Sequence, residues 1–371
     1  MSKPALAALF ALLFLAAPAQ AQFVVGVAGP MSGPLGPYGA QMAEGVRAAA
    51  DQINARGGLG GETVELLVVD DYSDPTRAES VAQTIVEGGA RVVVGHFTSA
   101  VAAMAAPVYA RAGIIMLTPA ASDPTLTDAE SWNVFRLAAR DDRQAAVSGR
   151  HIANAFADGR VALVHDKSAY GKGLVDRTRA VINEAGLNDV FYAGIDIGET
   201  SYAPLVARLR DARVDVVYFG GLHKEAAIIL REMREAGLDA AFVTGDGALS
   251  PEFVTLAGDA VEGALMTAPI ERDALDRDLQ QARDAIGLTG GRTALASFVA
   301  LRVVEEVVAT LGSTDMRLVA GYLREGGGVE TEIGPIGFDA RGDATFTEFG
   351  LFAWRRAESG FVDYRDNLIL R

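Results

Sequence analysis

Residues 92–100 read VVVGHFTSA, a run of valines followed by glycine, two ring-bearing residues and then small polar residues. A short, continuously apolar run of this kind is typical of a strand that is buried on both faces of a parallel sheet. The polar residues stand where the next helix should begin. Ligands of open α/β sheets bind outside the carboxyl ends of the strands. The stretch therefore predicts an α/β fold with a candidate binding site at this strand end.

The same alternation continues along the chain. Other short apolar runs stand at 23–28, 64–69, 114–117, 160–164, 214–219 and 240–244. Helical patterns separate them, and in the first of these the apolar residues recur every three or four positions, at Met42, Val46, Ala49 and Ile53. Apolar strands that alternate with amphipathic helices predict parallel sheets flanked by helices.

An internal echo indicates two similar lobes. The stretches GPMSGPLGPYGAQMAEGVRAA and HDKSAYGKGLVDRTRAV each follow an apolar run and contain a serine, then Tyr-Gly, then a helical pattern. Without the amino-terminal segment about 350 residues remain, which is too many for one ordinary core. We predict a second lobe that begins near Asp141. The strand-like tail EFGLFAWRR, from Glu348, predicts that the chain crosses between the lobes more than once.

The amino-terminal segment, MSKPALAALFALLFLAAPAQA (1–21), has the pattern of a secretory signal peptide that is cleaved after Ala21. Its apolar run, Ala5 to Ala17, is shorter than the ~20 residues of a membrane span, which disfavours an uncleaved anchor. The chain has no cysteine, which excludes disulfides, thiolate metal sites and a lipid-bearing amino-terminal cysteine. We expect a free periplasmic protein.

Composition also excludes several classes of partner. The formal net charge is −15, and an acidic surface repels phosphate backbones, so we expect no nucleic acid partner. The four histidines are scattered, so we expect no metal. Neither of the glycine-rich phosphate-binding motifs, G-x-x-x-x-G-K-[ST] and G-x-G-x-x-G, occurs, and neither does the G-x-S-x-G motif of serine hydrolases. We therefore expect no cofactor and no enzymatic activity.

Small polar residues at strand ends remain as candidates. The hydroxyl of Ser99 and nearby amides suit a carboxylate, and a plain helix N-cap is the alternative. In LTPAASDPT, Pro119 removes a donor, so Ala120 and Ser122 can offer a carbonyl and a hydroxyl, unless the stretch is a simple turn. Asp246, between two glycines, suits an ammonium, and a surface turn is its alternative. Together these groups would match a zwitterion.

Nine stretches, in order along the chain, carry a resemblance to a known family. They read GPMSGPLGPYGAQ, INARGGLGG, DDYSDP, VVVGHFTS, LTPAAS, VHDKSAYGKGL, GGLHKEA, GDGALS and AGDAVEG. The sequence resembles the periplasmic binding proteins of branched-chain amino acid (Leu/Ile/Val) ABC transporters over essentially the whole chain after residue 21.

The resemblance implies a two-lobed type I (Venus flytrap) fold with three crossings between the lobes. It puts these crossings near Leu137–Asp141, Thr267–Ile270 and Glu348–Leu351. Residues 22–139 and 270–348 would then form the first lobe, and residues 140–269 and 349–371 the second.

The resemblance also implies ligand roles for individual residues. Ser99 corresponds to the serine that holds the α-carboxylate of an amino acid. Ala120 and Ser122 correspond to the carbonyl and hydroxyl that grip both ends of its head group. Tyr170 corresponds to a tyrosine of the second lobe that faces the cleft, and Asp246 to the acidic residue that pairs with the ammonium.

Three aromatic residues belong to the same implied site. Tyr38 and Phe298 correspond to aromatic positions near the ligand side chain. Phe97 stands where leucine is more usual in the family, and we expect its ring to shorten the side-chain pocket. The alternative for Phe97 is a core phenylalanine that faces a helix.

The sequence departs from the family pattern at other positions. Ser73 and Thr98 stand where many members have a disulfide, and Leu222 replaces a tyrosine that donates to the carboxylate, a role we expect Tyr170 to take. Asp246 is shorter than the glutamate found in other members. The stretches GHF, GGLH and GDG resemble the branch that accepts small or unusual neutral amino acids, including γ-aminobutyrate and proline.

The function implied is that of a monomeric solute receptor. It would close on a neutral amino acid, branched-chain or small, and deliver it to a membrane permease of the ABC transporter class. The alternative is a ligand-binding component of a sensory system with the same fold. A two-lobed enzyme would need a nucleotide loop or a catalytic triad, and the sequence offers neither.

Overall fold

The computed structural model describes residues 21–129, 131–270, 283–345, 348–356, 362–364 and 367–370. The expected signal peptide lies outside the described residues, except for Ala21. The described chain forms two α/β lobes, each built on its own sheet, which we call lobe A and lobe B. The two-lobed α/β fold predicted from the sequence is confirmed.

Sheet A is the centre of lobe A and has five parallel strands in the spatial order β2-β1-β3-β4-β5. Their bounds are Gln22–Gly29 (β1), Thr63–Asp70 (β2), Val92–Gly95 (β3), Ile115–Thr118 (β4) and Val134–Arg136 (β5). Strands β3 and β4 are buried along their whole length, which accounts for their continuous apolar runs. Strand β5 has only three residues and was missed in the sequence.

Sheet B is the centre of lobe B and has seven strands in the order β16-β13-β10-β9-β8-β6-β7. Their bounds are Val161–His165 (β6), Asp189–Gly194 (β7), Val216–Gly220 (β8), Ala241–Thr244 (β9), Leu265–Pro269 (β10), Phe349–Ala353 (β13) and Leu368–Leu370 (β16). Strands β6 to β10 pair in parallel, as expected for this fold, although β7 and β10 were not among the apolar runs identified in the sequence. The tail adds the antiparallel pairings of β13 with β10 and of β16 with β13, which the sequence did not predict.

Two small ribbons complete the strands. One pairs Val329–Thr331 (β11) with Gly334–Ile336 (β12), and the other pairs Arg355–Arg356 (β14) with Val362–Asp363 (β15).

Helices flank the sheets. In chain order they are Gly36–Ala55 (α1), Ala78–Glu87 (α2), Ser99–Ala112 (α3), Thr125–Asp128 (α4), Asp141–Ala155 (α5), Ala169–Glu184 (α6), Ala203–Asp211 (α7), His223–Glu235 (α8), Pro251–Ala257 (α9), Arg292–Leu311 (α10) and Met316–Arg324 (α11). The two Tyr-Gly pairs of the internal echo both lie in the first turn of a helix, α1 and α6. None of the described helices is both long enough and apolar enough to cross a bilayer.

Helix α1 packs against α10, which comes from far along the chain. The predicted apolar stripe of α1 is fully buried, at Met42, Val46, Ala49 and Ile53. Gly45 lies in the same interface, and a Cβ atom there would collide with the carbonyl oxygen of Ala294. Glycine therefore lets the two helix backbones approach closely.

The buried apolar residues divide between the lobes without overlap. Those of lobe A come from 23–137 and 288–344, and those of lobe B from 139–268 and 349–354. Lobe A is thus assembled from two distant stretches of chain. Where the chain leaves lobe B and later returns, the amide of Ile270 donates to the carbonyl of Glu348 at 2.7 Å.

Candidate functional site

Ser99 lies at the amino-terminal end of α3, just beyond strand β3, and is 6% exposed. The alternative that it is an N-cap is wrong, because Thr98 occupies the N-cap position and no side chain caps the helix. The Oγ atom of Ser99 instead accepts the backbone N–H groups of Ser122 and Asp123, each at 3.2 Å. With two donors on its oxygen, the hydroxyl keeps its own hydrogen to donate, which suits an anionic group.

The loop after β4 is fastened to the end of β3. The Oγ1 atom of Thr118 donates to the carbonyl of His96 at 2.8 Å and accepts the N–H of Ala121 at 3.0 Å. Ser122 is 7% exposed, and no donor among the described residues bonds to the carbonyl of Ala120. The backbone of Ser122 therefore lies beside Ser99, and Ala120 belongs to the same loop.

A buried histidine supports the loop that carries Ser99. The Nδ1 atom of His96 lies 2.7 Å from the carboxylate of Asp71, and its Nε2 atom lies 3.0 Å from the hydroxyl of Tyr109. All three residues are fully buried. Burial raises the pKa of the Tyr109 hydroxyl, so this group stays protonated. His96 thus has a structural role, as expected from its lack of metal-ligand spacing.

A buried ionic network holds the loop after β4 from the other side. Arg136, at the end of β5, donates to the carbonyl of Asp123 at 2.6 Å and to the carboxylate of Asp343 at 2.7 Å. Arg140 donates to the other oxygen of Asp343 at 2.8 Å. Burial opposes ionisation of Asp343, but the two guanidinium groups hold its pKa below the usual range. These bonds hold the loop after β4 against β5.

Lobe B contributes a carboxylate. Asp246 begins a short 3₁₀ turn after β9, and its Oδ1 atom accepts hydrogen bonds from Gln144 at 2.7 Å and from the hydroxyl of Tyr170 at 3.0 Å. The amide of Gly247 donates to the same hydroxyl at 3.0 Å. Burial raises the pKa of Asp246, although both hydrogen bonds oppose this rise. Asp246 therefore belongs to a network inside lobe B and is not a free surface turn.

Two of the three aromatic candidates stack on each other. The rings of Tyr38 and Phe97 have centroids 4.6 Å apart and an interplanar angle of 23°, and both are partly exposed. Burial, followed by the charges of Glu252 and Asp246, raises the pKa of the Tyr38 hydroxyl. Phe298 is fully buried in the core of lobe A, on which Phe97 packs.

The two lobes touch across the cleft. The hydroxyl of Tyr38 in lobe A lies 3.3 Å from Nδ1 of His223 in lobe B. The guanidinium of Arg177, on α6, donates to both carboxylate oxygens of Asp123 at 3.2 Å. Both contacts join residues from opposite lobes across the cleft.

Sequence reasoning missed two polar residues of this cleft. Asp141 and Gln144 lie on the first turn of α5. The carboxylate of Asp141 is buried beside the hydroxyl of Ser122, and the Oε1 atom of Gln144 has no hydrogen-bond partner among the described residues. Two acidic residues in a row at a helix start, as at 141–142, look like ordinary complements to the helix dipole. The local sequence therefore carried no signal that separates Asp141 from its neighbour.

The two positions that replace the family's disulfide are partly buried. The hydroxyl oxygens of Ser73 and Thr98 have no hydrogen-bond partner. Ser73 and its neighbour Tyr72 adopt positive φ angles, 54° and 55°. Tyr72, Ser73 and Thr98 precede Ser99 in the chain. None of them was expected to contact a ligand.

Comparisons with known proteins agree with this architecture. The family model described as "Periplasmic binding protein" matches residues 22–358. The chain is 39% identical over 359 residues to the "Leu/Ile/Val-binding protein homolog 2" of Brucella abortus (strain 2308), with 96% of each chain covered.

Solved structures show the same fold. The substrate binding protein LivJ of a branched-chain amino acid transporter from Streptococcus pneumoniae, in complex with isoleucine, superposes with a TM-score of 0.78 at 22% identity, covering 94% of this chain and 100% of that one. An ABC transporter solute binding protein from Rhodopseudomonas palustris BisB5, in complex with 3,4-dihydroxy benzoic acid, gives 0.79 at 20% identity, covering 94% and 96%. The chain belongs to the periplasmic binding protein family, in its branched-chain amino acid (Leu/Ile/Val)-binding group.

Proposed function

We propose that the protein is the periplasmic receptor of an ABC transporter and captures a neutral amino acid by closure of its lobes. The observation that carries this proposal is the opposed polarity of the cleft walls. Lobe A presents the hydroxyl of Ser99, which has only its hydrogen left to offer, and lobe B presents the carboxylate of Asp246. A donor facing an acceptor across a cleft suits the carboxylate and ammonium of one zwitterion.

The roles of the site residues follow from their positions. Ser99 and the hydroxyl of Ser122 bind the ligand carboxylate, and the carbonyl of Ala120 accepts from the ammonium. Tyr170 and Asp246 reach the head group only when lobe B approaches. A ligand drives closure only through contacts that the open form lacks. The lobe B contacts therefore act as the switch.

Closure requires that the lobes move as separate bodies. We assign residues 22–139 and 270–348 to lobe A and residues 140–269 and 349–371 to lobe B, with three crossings as hinge. The two sets of core residues support this assignment, because they divide at these bounds except at Ala139, which packs in the core of lobe B. The hydrogen bond between Ile270 and Glu348 supports placing the second and third crossings side by side.

The side-chain pocket is expected to favour compact ligands. The ring of Phe97 is held by stacking on Tyr38 and occupies space that a leucine would leave open. Alanine, valine, proline and γ-aminobutyrate should therefore bind as well as leucine or better. A hydrophobic pocket discriminates one methylene by only ~1–3 kcal/mol, so we expect a graded preference.

A panel of amino acids tested by thermal shift examines the proposal directly. A ligand that binds only the native state raises the unfolding midpoint. At a ligand concentration of a hundred times Kd, it stabilises the folded state by about 2.7 kcal/mol. Small neutral amino acids should raise it, and the corresponding carboxylic acids without an amine should not. A panel in which no amino acid has an effect would refute the assignment of the ligand class.

Delivery to a permease needs a separate test in cells. Deletion of the gene should abolish uptake of the radiolabelled ligand, and the mature protein should be recovered from the periplasmic fraction with residue 22 as its first residue. If uptake is unchanged while a response to the ligand, such as chemotaxis, is lost, the sensory alternative is correct.

A further inference from the structure

Arg140 lies at the junction between the two lobes, in the first of the proposed crossings. It stands directly before α5, the first helix of lobe B, and is only 6% exposed. Arginine is rarely buried unless its charge is paired. The burial of Arg140 must therefore be compensated by the contacts of its guanidinium group.

The guanidinium of Arg140 forms hydrogen bonds on both sides of this junction. In lobe A, its Nη1 atom donates to the carboxylate of Asp343 at 2.8 Å and to the hydroxyl of Thr127 at 3.1 Å. Its Nη2 atom donates to the carboxylate of Asp128, also in lobe A, at 3.0 Å. Nε and Nη2 both donate to the carboxylate of Asp142, on the first turn of α5, at 3.1 and 2.8 Å. One side chain thus joins α5 to a buried cluster of lobe A.

The main chain of Arg140 starts helix α5. Its carbonyl accepts the N–H groups of Arg143 and Gln144, at 3.2 and 3.4 Å. Beside it, the N–H of Asp141 donates to the carbonyl of Ser122 in lobe A at 3.1 Å. The residue that begins the first helix of lobe B is therefore the same one whose side chain is bound inside lobe A.

Helix α5 leads from this junction to the candidate site. Gln144, on its first turn, donates to the Oδ1 atom of Asp246 at 2.7 Å, and the same oxygen accepts from Tyr170. A shift of the α5 start relative to lobe A would move Gln144, and with it the hydrogen bonds of Asp246. The guanidinium of Arg140 is thus linked through one helix turn to the carboxylate of the candidate site.

The carboxylate of Asp343 connects the junction to a second crossing. It lies shortly before Glu348, where we place the third crossing, and its segment is held against strand β5. The N–H of Arg136 donates to the carbonyl of Gly342 at 2.8 Å. At Gly342 φ is 92°, and a Cβ atom would lie 2.2 Å from the carbonyl oxygen of Val134, so glycine is needed for this close approach.

We infer that Arg140 is a positioning residue that clamps the start of α5 to lobe A and acts as the pivot of the hinge, an inference that rests on the function proposed above. A pivot moves least when two bodies rotate, so these bonds persist in the open and the closed forms, unlike contacts across the cleft. The clamp restricts the rotation of the lobes and keeps Gln144 beside Asp246. Less conformational freedom is then lost when the ligand binds. Loss of the clamp should weaken binding without removing any contact with the ligand.

Two half-exposed carboxylates on the same nitrogen provide the test. Asp142 in lobe B and Asp128 in lobe A both accept from Nη2 of Arg140, and their side chains are 44% and 43% exposed. Asp142→Asn should weaken the binding of an amino acid that stabilises the wild-type protein about twofold to fivefold, measured by calorimetry. It should also speed amide hydrogen exchange at residues 141–144 of the ligand-free protein. Asp128→Asn makes the same change of charge and should alter neither quantity, because the other bonds of Arg140 to lobe A remain.

A second variant separates the clamp from the general benefit of an acidic residue at a helix start. Arg140→Lys keeps the positive charge but replaces the guanidinium fork by one ammonium, which cannot bind Asp142 and the lobe A cluster together. The effects of Arg140→Lys and Asp142→Asn should not add in the double variant, because both remove the same contact. Additive effects, or equal losses of affinity in Asp142→Asn and Asp128→Asn, would contradict the inference. If Arg140→Lys does not fold, the comparison of the two aspartate variants decides alone.

The exchange measurement requires no ligand and so separates two kinds of failure. If no amino acid binds the wild-type protein, the proposed function fails, and the exchange rates at residues 141–144 still decide whether Arg140 clamps α5. If the wild type binds an amino acid and Asp142→Asn binds and exchanges like it, the inference fails and the proposed function stands.

Discussion

Substitution of Ser99 by alanine should damage the loop of lobe A as well as ligand binding. The Oγ atom of Ser99 is the acceptor for the N–H groups of Ser122 and Asp123. Alanine removes this acceptor and leaves both donors unpaired in a region where Ser99 and Ser122 are 6% and 7% exposed. Each buried donor that loses its partner costs ~1–3 kcal/mol. Because Asp123 is only partly buried, we expect a total loss of about 2–4 kcal/mol in the free energy of unfolding.

Ser99→Ala should also weaken ligand binding. Ser99→Ala also removes the hydroxyl that donates to the ligand carboxylate, and a charge-assisted bond contributes ~1.5–3 kcal/mol, or about tenfold to a hundredfold in Kd. Urea unfolding followed by circular dichroism measures the first effect, and isothermal titration calorimetry measures the second.

A second buried serine provides the control. Ser297, on α10, is fully buried, and its hydroxyl donates only to the carbonyl of Thr293 within the same helix. Ser297→Ala leaves no backbone N–H without its acceptor. It should therefore lower the free energy of unfolding by no more than about 1 kcal/mol and leave ligand affinity unchanged. If Ser99→Ala is as stable as Ser297→Ala and binds the ligand normally, Ser99 holds neither the loop nor the carboxylate.

Four other changes test the cleft. Asp246→Ala should weaken binding at least roughly tenfold by calorimetry, through loss of a charge-assisted bond, and unchanged affinity in a folded variant would remove this residue from the site. Phe97→Leu should shift the thermal-shift ranking toward leucine and isoleucine; an unchanged ranking would show that the ring does not shape the pocket. Arg177→Gln breaks the ion pair with Asp123 across the cleft, so small-angle scattering should show a more open ligand-free protein, with affinity lowered less than about fivefold because partly exposed pairs contribute at most ~1 kcal/mol. The pH dependence of stability should follow Asp141, because its raised pKa means that the ionised carboxylate is disfavoured in the folded state. The stability of the wild type, relative to that of Asp141→Asn, should therefore fall as pH rises from about 4 to 7. A difference in stability that stays constant across thermal melts in this range would contradict the prediction.

The fold could be predicted because local patterns of apolar residues indicate its strands and helices. The valine run at 92–95 and the stripe at Met42, Val46, Ala49 and Ile53 show the periods of a buried strand and a half-buried helix, and both are confirmed. The pairing of β13 and β16 with sheet B could not be predicted in the same way. It joins residues 349–370 to a strand that ends at Pro269, and no local pattern specifies a partner so far away.

The sequence predicted site residues only where a polar side chain follows the end of a predicted strand. Ser99 and Ser122 stand directly after strands, and the structure brings them within one hydrogen bond of each other. Asp141 stands at a helix start, where acidic residues are common for other reasons, and only its burial distinguishes it. The ionic network of Arg136 and Asp343 joins residues about 200 positions apart, and sequence separation of this size hides such pairs.

The packing of α10 on α1 also bears on how the chain is made and exported. Helix α1 ends at Ala55 and α10 begins at Arg292. A partly synthesised or partly translocated chain therefore contains the apolar face of α1 but lacks the helix that buries it. Until then this stripe is open to water, to other nascent chains and to chaperones. The five parallel strands of sheet B, in contrast, come from one continuous stretch, 161–269. Lobe A is begun first by the ribosome and is among the last parts to be buried.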